Sequence, residues 1–149
     1  MTPASGASMR MRRALVCALA GSAIGALVPA RAQDAKTTLA QKTAREWLAL
    51  ADALDVTGSY NAAGARFRNA ITSEAWGAAL QQARAPLGAL DQRSMLSTKF
   101  SDKLPDGPEG EFALVLFRTS FAHHADGRET VTLEREADGS WHVIGYFIR

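Results

Sequence analysis

The stretch RETVTLEREADGSWHVIGYFIR, Arg128 to Arg149, decides how this chain folds. Its first half sets Val131 and Leu133 against Thr130, Thr132 and Glu134, the period-two pattern of a strand with one buried face. Ala137-Asp138-Gly139 then reads as a turn. The closing run, Ser140 to Arg149, is a second strand that is apolar on both sides. Trp141, Val143 and Phe147 fall at one parity, and Ile144, Tyr146 and Ile148 at the other. A strand with no polar face must be covered twice, and the source of the second cover is the problem the fold has to solve.

Moving toward the N-terminus, Ala125-Asp126-Gly127 repeats the turn, which makes Arg128 to Glu136 a strand bounded by two loops. Glu111 to His123 is a long strand before it. Arg93 to Lys103 is another, joined through the turn-rich Leu104-Pro105-Asp106-Gly107-Pro108-Glu109-Gly110. The pattern predicts a four-stranded antiparallel meander. Each Ala-Asp-Gly can close as a two-residue loop or as a three-residue loop with a left-handed glycine, and a one-residue slip moves every side chain to the other face. Three-residue loops set Phe121 opposite Val131, Thr119 opposite Leu133, Leu133 opposite Val143 and Arg135 opposite Trp141. Val115, Phe117, Phe121, Val131, Leu133, Trp141, Val143 and Phe147 then share the front face, the more coherent solution. The back face keeps Leu114, Leu116, Ile144, Tyr146 and Ile148, with Gly145 opposite Val131 as the place for a bend or bulge. So large an apolar patch is rarely left bare. Either a helix wraps round the sheet to cover it or a second subunit does, and the expected cover is a second copy of the chain, a homodimer through the back of the sheet.

Before the strands the period is helical. Leu39, Trp47, Leu50, Ala51 and Leu54 share one face of a first helix starting at Thr37, with Arg45, Glu46 and Asp52 elsewhere as solvated positions. Asp55 to Ser59 breaks it and offers caps. Tyr60, Ala63 and Phe67 suit a short second helix, interrupted by Gly64. Thr72 or Ser73 caps a third, with Glu74 in its first turn and Trp76, Leu80, Ala83 and Leu87 as its buried stripe, until Pro86 and Gly88 stop it. Three helices followed by a meander is an α+β plan.

The N-terminus reads as a secretory signal. Arg10, Arg12 and Arg13 form a basic head, Ala14 to Pro29 is apolar or small, and Ala30-Arg31-Ala32 is a small-x-small cleavage site, so residues 1–32 are expected to be removed. Gly21, Gly25 and Pro29 make the run poor as a spanning helix. Residues 33–36 are expected as a flexible lead and residues 37–149 as a single domain. Cys17, the one cysteine, lies within the signal with its apolar stretch after it rather than before it, which argues against lipidation and leaves a mature chain without disulfides. Removing Arg10, Arg12, Arg13 and Arg31 takes four from the 17 Lys and Arg, leaving 13 against 15 Asp and Glu. No basic run survives to favour nucleic acid. The expected destination is the periplasm or the exterior. The 117 residues left of 149 after the first 32 suffice for one core.

Four stretches carry a resemblance: AREWLALAD (Ala44 to Asp52), SEAWGAALQQARAPLGAL (Ser73 to Leu90), FRTSFA (Phe117 to Ala122) and ETVTLEREADGSWHVIGYFIR (Glu129 to Arg149). Together they make the chain similar to the bacterial exported domain of unknown function 4019 family. The plan also looks like the cone-shaped nuclear-transport-factor-2-like and cystatin-like fold, in which helices sit in the hollow of a curved sheet. The resemblance implies a fold and a compartment and brings no activity with it.

Few residues suggest chemistry. In enzymes of the cone-shaped superfamily an acid, a histidine or a tyrosine in the hollow acts as base or oxyanion donor, which by analogy singles out Asp55, Tyr60 and His123. Asp55 has a simpler role as a helix cap. His123-His124-Ala125-Asp126 offers three potential metal ligands within four residues, but neighbouring strand residues point to opposite faces and no further His or Cys lies close in sequence, so no metal site is expected. Arg66, Arg68 and Arg84 are expected on a solvated helix face. No nucleophile elbow, phosphate loop or dinucleotide fingerprint is present, and no cofactor is expected. The reading favoured is an exported non-enzymatic domain that binds a small ligand or a protein partner. The alternative is a small enzyme doing acid/base chemistry on a hydrophobic substrate, which would need a titratable group facing an open hollow.

Overall fold

The computed structural model describes residues 30–149. The expected signal sequence up to Pro29 therefore lies outside the described residues. The order is α1 (Ala30–Asp52), α2 (Val56–Ala62), α3 (Ala65–Ala70), α4 (Ser73–Arg84), a 3-10 turn (Ala85–Leu87), then β1 (Leu90–Lys103), β2 (Glu109–Phe121), β3 (His124–Arg135) and β4 (Trp141–Ile148). The strands form one antiparallel sheet in the order β1-β2-β3-β4. α1 touches all four of them. Residues 33–36, expected as a flexible lead, are helical turns of α1, and Lys36 is held there by an ion pair with Glu111 and by the face of Phe100, 4.4 Å away.

The expected second helix is two helices. Gly64 separates α2 from α3, and its N–H donates to the Val143 carbonyl of β4 at 2.8 Å. A Cβ at Gly64 would lie 3.1 Å from the His142 Cβ and 3.2 Å from the Ile144 Cγ2. A larger residue here would crowd the His142, Glu136 and Ile144 side chains, which would have to give way by a few tenths of an ångström. The chain leaves its helical path there to cap a sheet edge that would otherwise expose its hydrogen-bonding groups.

The core lies between α1, α4 and the sheet. Trp47 is its centre, with ring centroids 5.6 Å from Trp76, 6.3 Å from Phe67 and 5.4 Å from Tyr146. The indole N–H groups of Trp47 and Trp76 both end on Ser59, on its carbonyl and its hydroxyl, at 2.9 Å each. Ala113, Val115, Phe117, Val131, Leu133, Trp141 and Val143 complete the core from the sheet.

The hairpins divide in how they match the expected register. Leu133 pairs with Val143 and Arg135 with Trp141, and Gly139 is left-handed at φ 84°, as the three-residue loop requires. The first hairpin turns earlier, at Ala122-His123, with Val115 opposite Val131 and Thr119 opposite Gly127. Tertiary contacts place that turn: the N–H groups of Ala122 and His123 donate to the Ala89 and Leu87 carbonyls at 2.9 Å each. Gly127 is then a strand residue, where a Cβ would meet the Thr119 carbonyl oxygen at 3.0 Å. The slip is an even number of residues, so the face assignments of Val115, Phe117, Phe121, Val131 and Leu133 survive it.

β4 carries the larger correction. Its register to β3 shifts between Thr132 and Leu133, which leaves Ile144 as an extra residue. Parity inverts there. Tyr146 pairs with Val131 and Ile148 with Glu129, so both join the helix side of the sheet, while Phe147 moves to the open side and is 60% exposed. A bulge, with the helices on the inner side, accounts for a strand that is apolar at both parities.

Candidate functional site

Six elements converge on one charged cluster. α1 ends at Asp52 because Leu54 turns left-handed, at φ 54°, and the Asp55 and Leu54 N–H groups return to the Leu50 and Ala51 carbonyls at 2.9 and 3.1 Å. α4 ends at Arg84 ahead of Pro86. Arg93 of β1 pairs with Thr119 of β2, and Glu129 of β3 sits diagonally from Thr119 and from Tyr146 of β4 on the helix side.

Arg93 bridges the two acids. It donates to Asp52 from Nη1 and Nη2 at 2.7 and 2.8 Å, and to Glu129 from Nε and Nη2 at 2.7 and 3.2 Å. Arg84 adds a 2.6 Å bond to Asp52 and a 3.3 Å bond to the Tyr146 hydroxyl, and its guanidinium lies 4.7 Å from the Phe121 ring centroid. Thr119 and Tyr146 donate their hydroxyls to Glu129 at 2.5 and 2.6 Å. Glu129 is 0% exposed and Arg84 5%. Two guanidinium groups balance two carboxylates, so the cluster is neutral as a whole.

The electrostatics follow from burial and pairing. Burial raises the Asp52 carboxyl, but hydrogen bonds and charge from Arg93 and Arg84 outweigh it and hold the group below its ordinary value. Burial lowers both guanidinium groups, yet the partners win: Asp52 and Tyr146 raise Arg84, and Asp52 and Glu129 raise Arg93. Burial first, then the Glu129 charge and hydrogen bond, push the Tyr146 phenol up against the opposing Arg84. Every carboxylate oxygen already accepts a bond and the phenol is held protonated. The arrangement clamps helices to sheet and leaves no free base to take a proton from a substrate. Arg84 Nε is the one buried side-chain polar atom without a partner among the described residues.

The residues singled out from sequence are not gathered here. Asp55 caps α2, accepting from the Gly58 N–H at 2.8 Å. Tyr60 donates its hydroxyl to the Ile71 and Arg68 carbonyls at 3.0 and 3.2 Å. His123 is exposed in the first hairpin turn. No group of three His, Cys, Asp or Glu side chains among the described residues could hold a metal ion. The five residues expected to share the back face are split. Leu114 and Leu116 stay on the open side opposite Thr132 and Thr130, Ile144 is the bulge beside Gly64, and Tyr146 and Ile148 face the helices. The bulge thus removes the continuous patch on which the back-face dimer rested. Of the arginines read as a solvated face, Arg66 forms a bidentate pair with Glu134 at 2.7 and 2.9 Å, Arg68 binds the Ala63 carbonyl, and Arg84 is buried. Asp52, also read as solvated, is an anchor of the cluster.

The architecture is that of a small α+β domain whose inner charges are spent on one another. The chain belongs to the family described as "Protein of unknown function (DUF4019)", whose model matches residues 43–146. No curated protein and no solved structure matches it. No helix among the described residues is long and apolar enough to cross a membrane.

Proposed function

We propose that the protein is an exported, non-enzymatic domain that works by presenting its surface to a partner. The observation that carries this reading is the filled and neutralised space between helices and sheet. Trp47, Phe67, Trp76 and Tyr146 pack ring against ring there, and the Asp52, Arg84, Arg93 and Glu129 charges saturate one another. An acid/base site in a fold of this kind needs a titratable group free to exchange a proton with a substrate, whereas all four carboxylate oxygens of Asp52 and Glu129 already accept hydrogen bonds from within the cluster. The basic head, apolar run and small-x-small site of residues 1–32 support export. The contact of α1 with all four strands, together with the sequence resemblance, supports the cone-shaped plan of the nuclear-transport-factor-2-like and cystatin-like folds.

The reading is tested by tryptophan fluorescence. Trp47, Trp76 and Trp141 are all buried. Acrylamide is expected to quench them weakly, and the apolar dye anilinonaphthalene sulfonate to gain no fluorescence from the native protein. Strong dye binding that shifts tryptophan emission would show an open hollow and revive the enzyme reading.

A further inference from the structure

The sheet has two edges, β1 and β4. β1 is defended: its pairing with β2 shifts register at three places, and it carries Asp91, Lys99, Asp102 and Lys103. Bulges and charges of this kind discourage the addition of another strand. The first half of β4 is covered, since Gly64 takes the outward carbonyl of Val143. The second half is different. Arg128 and Arg149 exchange both backbone hydrogen bonds, at 2.7 and 3.0 Å. Alternation along an antiparallel ladder then makes Phe147 and Gly145 bond inward to Thr130 and Thr132, while Tyr146 and Ile148 turn their N–H and C=O groups outward. No bond from another element reaches those outward groups among the described residues.

We propose that a second copy of this chain adds to that edge, pairing residues 145–149 antiparallel with their counterparts about a two-fold axis at Phe147. The two outward residues flank Phe147 symmetrically. Tyr146 therefore faces Ile148 of the second copy, and Ile148 faces its Tyr146, each pair exchanging both bonds. The axis sets Phe147 against itself in a non-hydrogen-bonded pair, where side chains come closest. Phe147 is the most exposed of the large hydrophobics among the described residues, at 60%, and this contact covers it. The edge is uncharged, and the strand that the chain itself offers to it is uncharged over the same residues. Ile144 to Ile148 carries no charge, nor do Ala75, Ala78, Ala79 and Gln82 on the exposed flank of α4. An acidic or basic strand would leave its charges unpaired there. Arg149 falls opposite Gly145, so no like charges meet directly across the axis. The same contact caps an apolar pocket of about 250 Å³ between Ala79 and Ala83 of α4 and the end of β4. A strand pair this short buries little area, below about 1,200 Å² in total, which places it among weak, concentration-dependent associations.

Sedimentation equilibrium of the purified protein over a wide concentration range tests this. The mass is expected to rise with concentration from one chain toward two. Ile148→Pro removes an outward N–H, together with the Ile148 side chain, and keeps the inward bonds of Phe147 and Arg149 to β3; Phe147→Lys puts charge on the axis. Each is expected to hold the mass at one chain, with the fold checked by circular dichroism. Leu116→Lys, on the open face away from the edge, is expected to associate as the unaltered protein does. A single-chain mass for the unaltered protein up to its solubility limit overturns the proposal. So does association that survives Phe147→Lys or that Leu116→Lys abolishes. Should Ile148→Pro unfold, Phe147→Lys decides alone.

Discussion

Asp52 stays ionised inside the fold because its pairing outweighs its burial. Burial pushes the carboxyl up; Arg93 and then Arg84 pull it below the ordinary 3.8. A carboxyl whose folded value is depressed adds stability that is complete above 3.8 and is lost as pH falls through the lower folded value. Urea unfolding is therefore expected to show stability declining in acid below that point, and Asp52→Asn to flatten the decline. The same variant is expected to lose about 3 kcal/mol near neutral pH, because the buried Arg84 and the half-buried Arg93 guanidinium groups lose their common partner. An unchanged acid limb in Asp52→Asn would contradict the pairing. Part of this cluster was legible. The parity that puts Val131 and Leu133 inside puts Glu129 inside with them, and a carboxylate on an apolar face demands a cation. Asp52 and Arg84 were not legible. Each sits at a helix end, where a solvated charge is ordinary, and their partner Arg93 is brought to them only by the closing of the sheet.

At the scale of elements, single residues moved boundaries that periodicity could not. The helical spacing of Tyr60, Ala63 and Phe67 is real, but Gly64 gives its N–H to the Val143 carbonyl at the β4 edge, and one helix becomes two. Ala-Asp-Gly occurs twice with the same local preference. Gly139 turns left-handed as that preference requires, whereas Gly127 lies in a strand because Leu87 and Ala89 hold the turn at Ala122-His123. Local turn chemistry is a small energy that a few tertiary hydrogen bonds override. The bulge at Ile144 was hinted at by an apolar strand with no polar face and by Gly145 beside it; the side to which Tyr146 went depended on the single extra residue. Gly64→Ala tests the docking of α3 on the edge. Gly64 has an ordinary φ of −69°, so the effect comes from crowding against His142 and Ile144 rather than from the backbone. A loss of about 1–3 kcal/mol is expected, with faster hydrogen exchange at the Gly64 amide. An alanine tolerated with full amide protection would show that the approach is looser than the distances imply.

The molecule as a whole buries one aromatic core and one neutral charge cluster beneath α1 and α4, and spends its polar chemistry on holding them together. The α+β class, the meander and most of the front-face core could be read from alternation and turns, because those patterns are local. The filled interior and the split back face could not, because both depend on which helix residue reaches which strand. Glu129 and its partners hold the fold together, and the stability of Glu129→Gln in urea unfolding is the decisive measurement. Removing the charge leaves Arg93 and Arg84 short of an anion in a site where Glu129 is 0% exposed, and a loss of about 3 kcal/mol or more is predicted. A variant as stable as the unaltered protein, or more so, would carry the signature of a charge kept for activity at the expense of stability, and would rule out a structural role for Glu129.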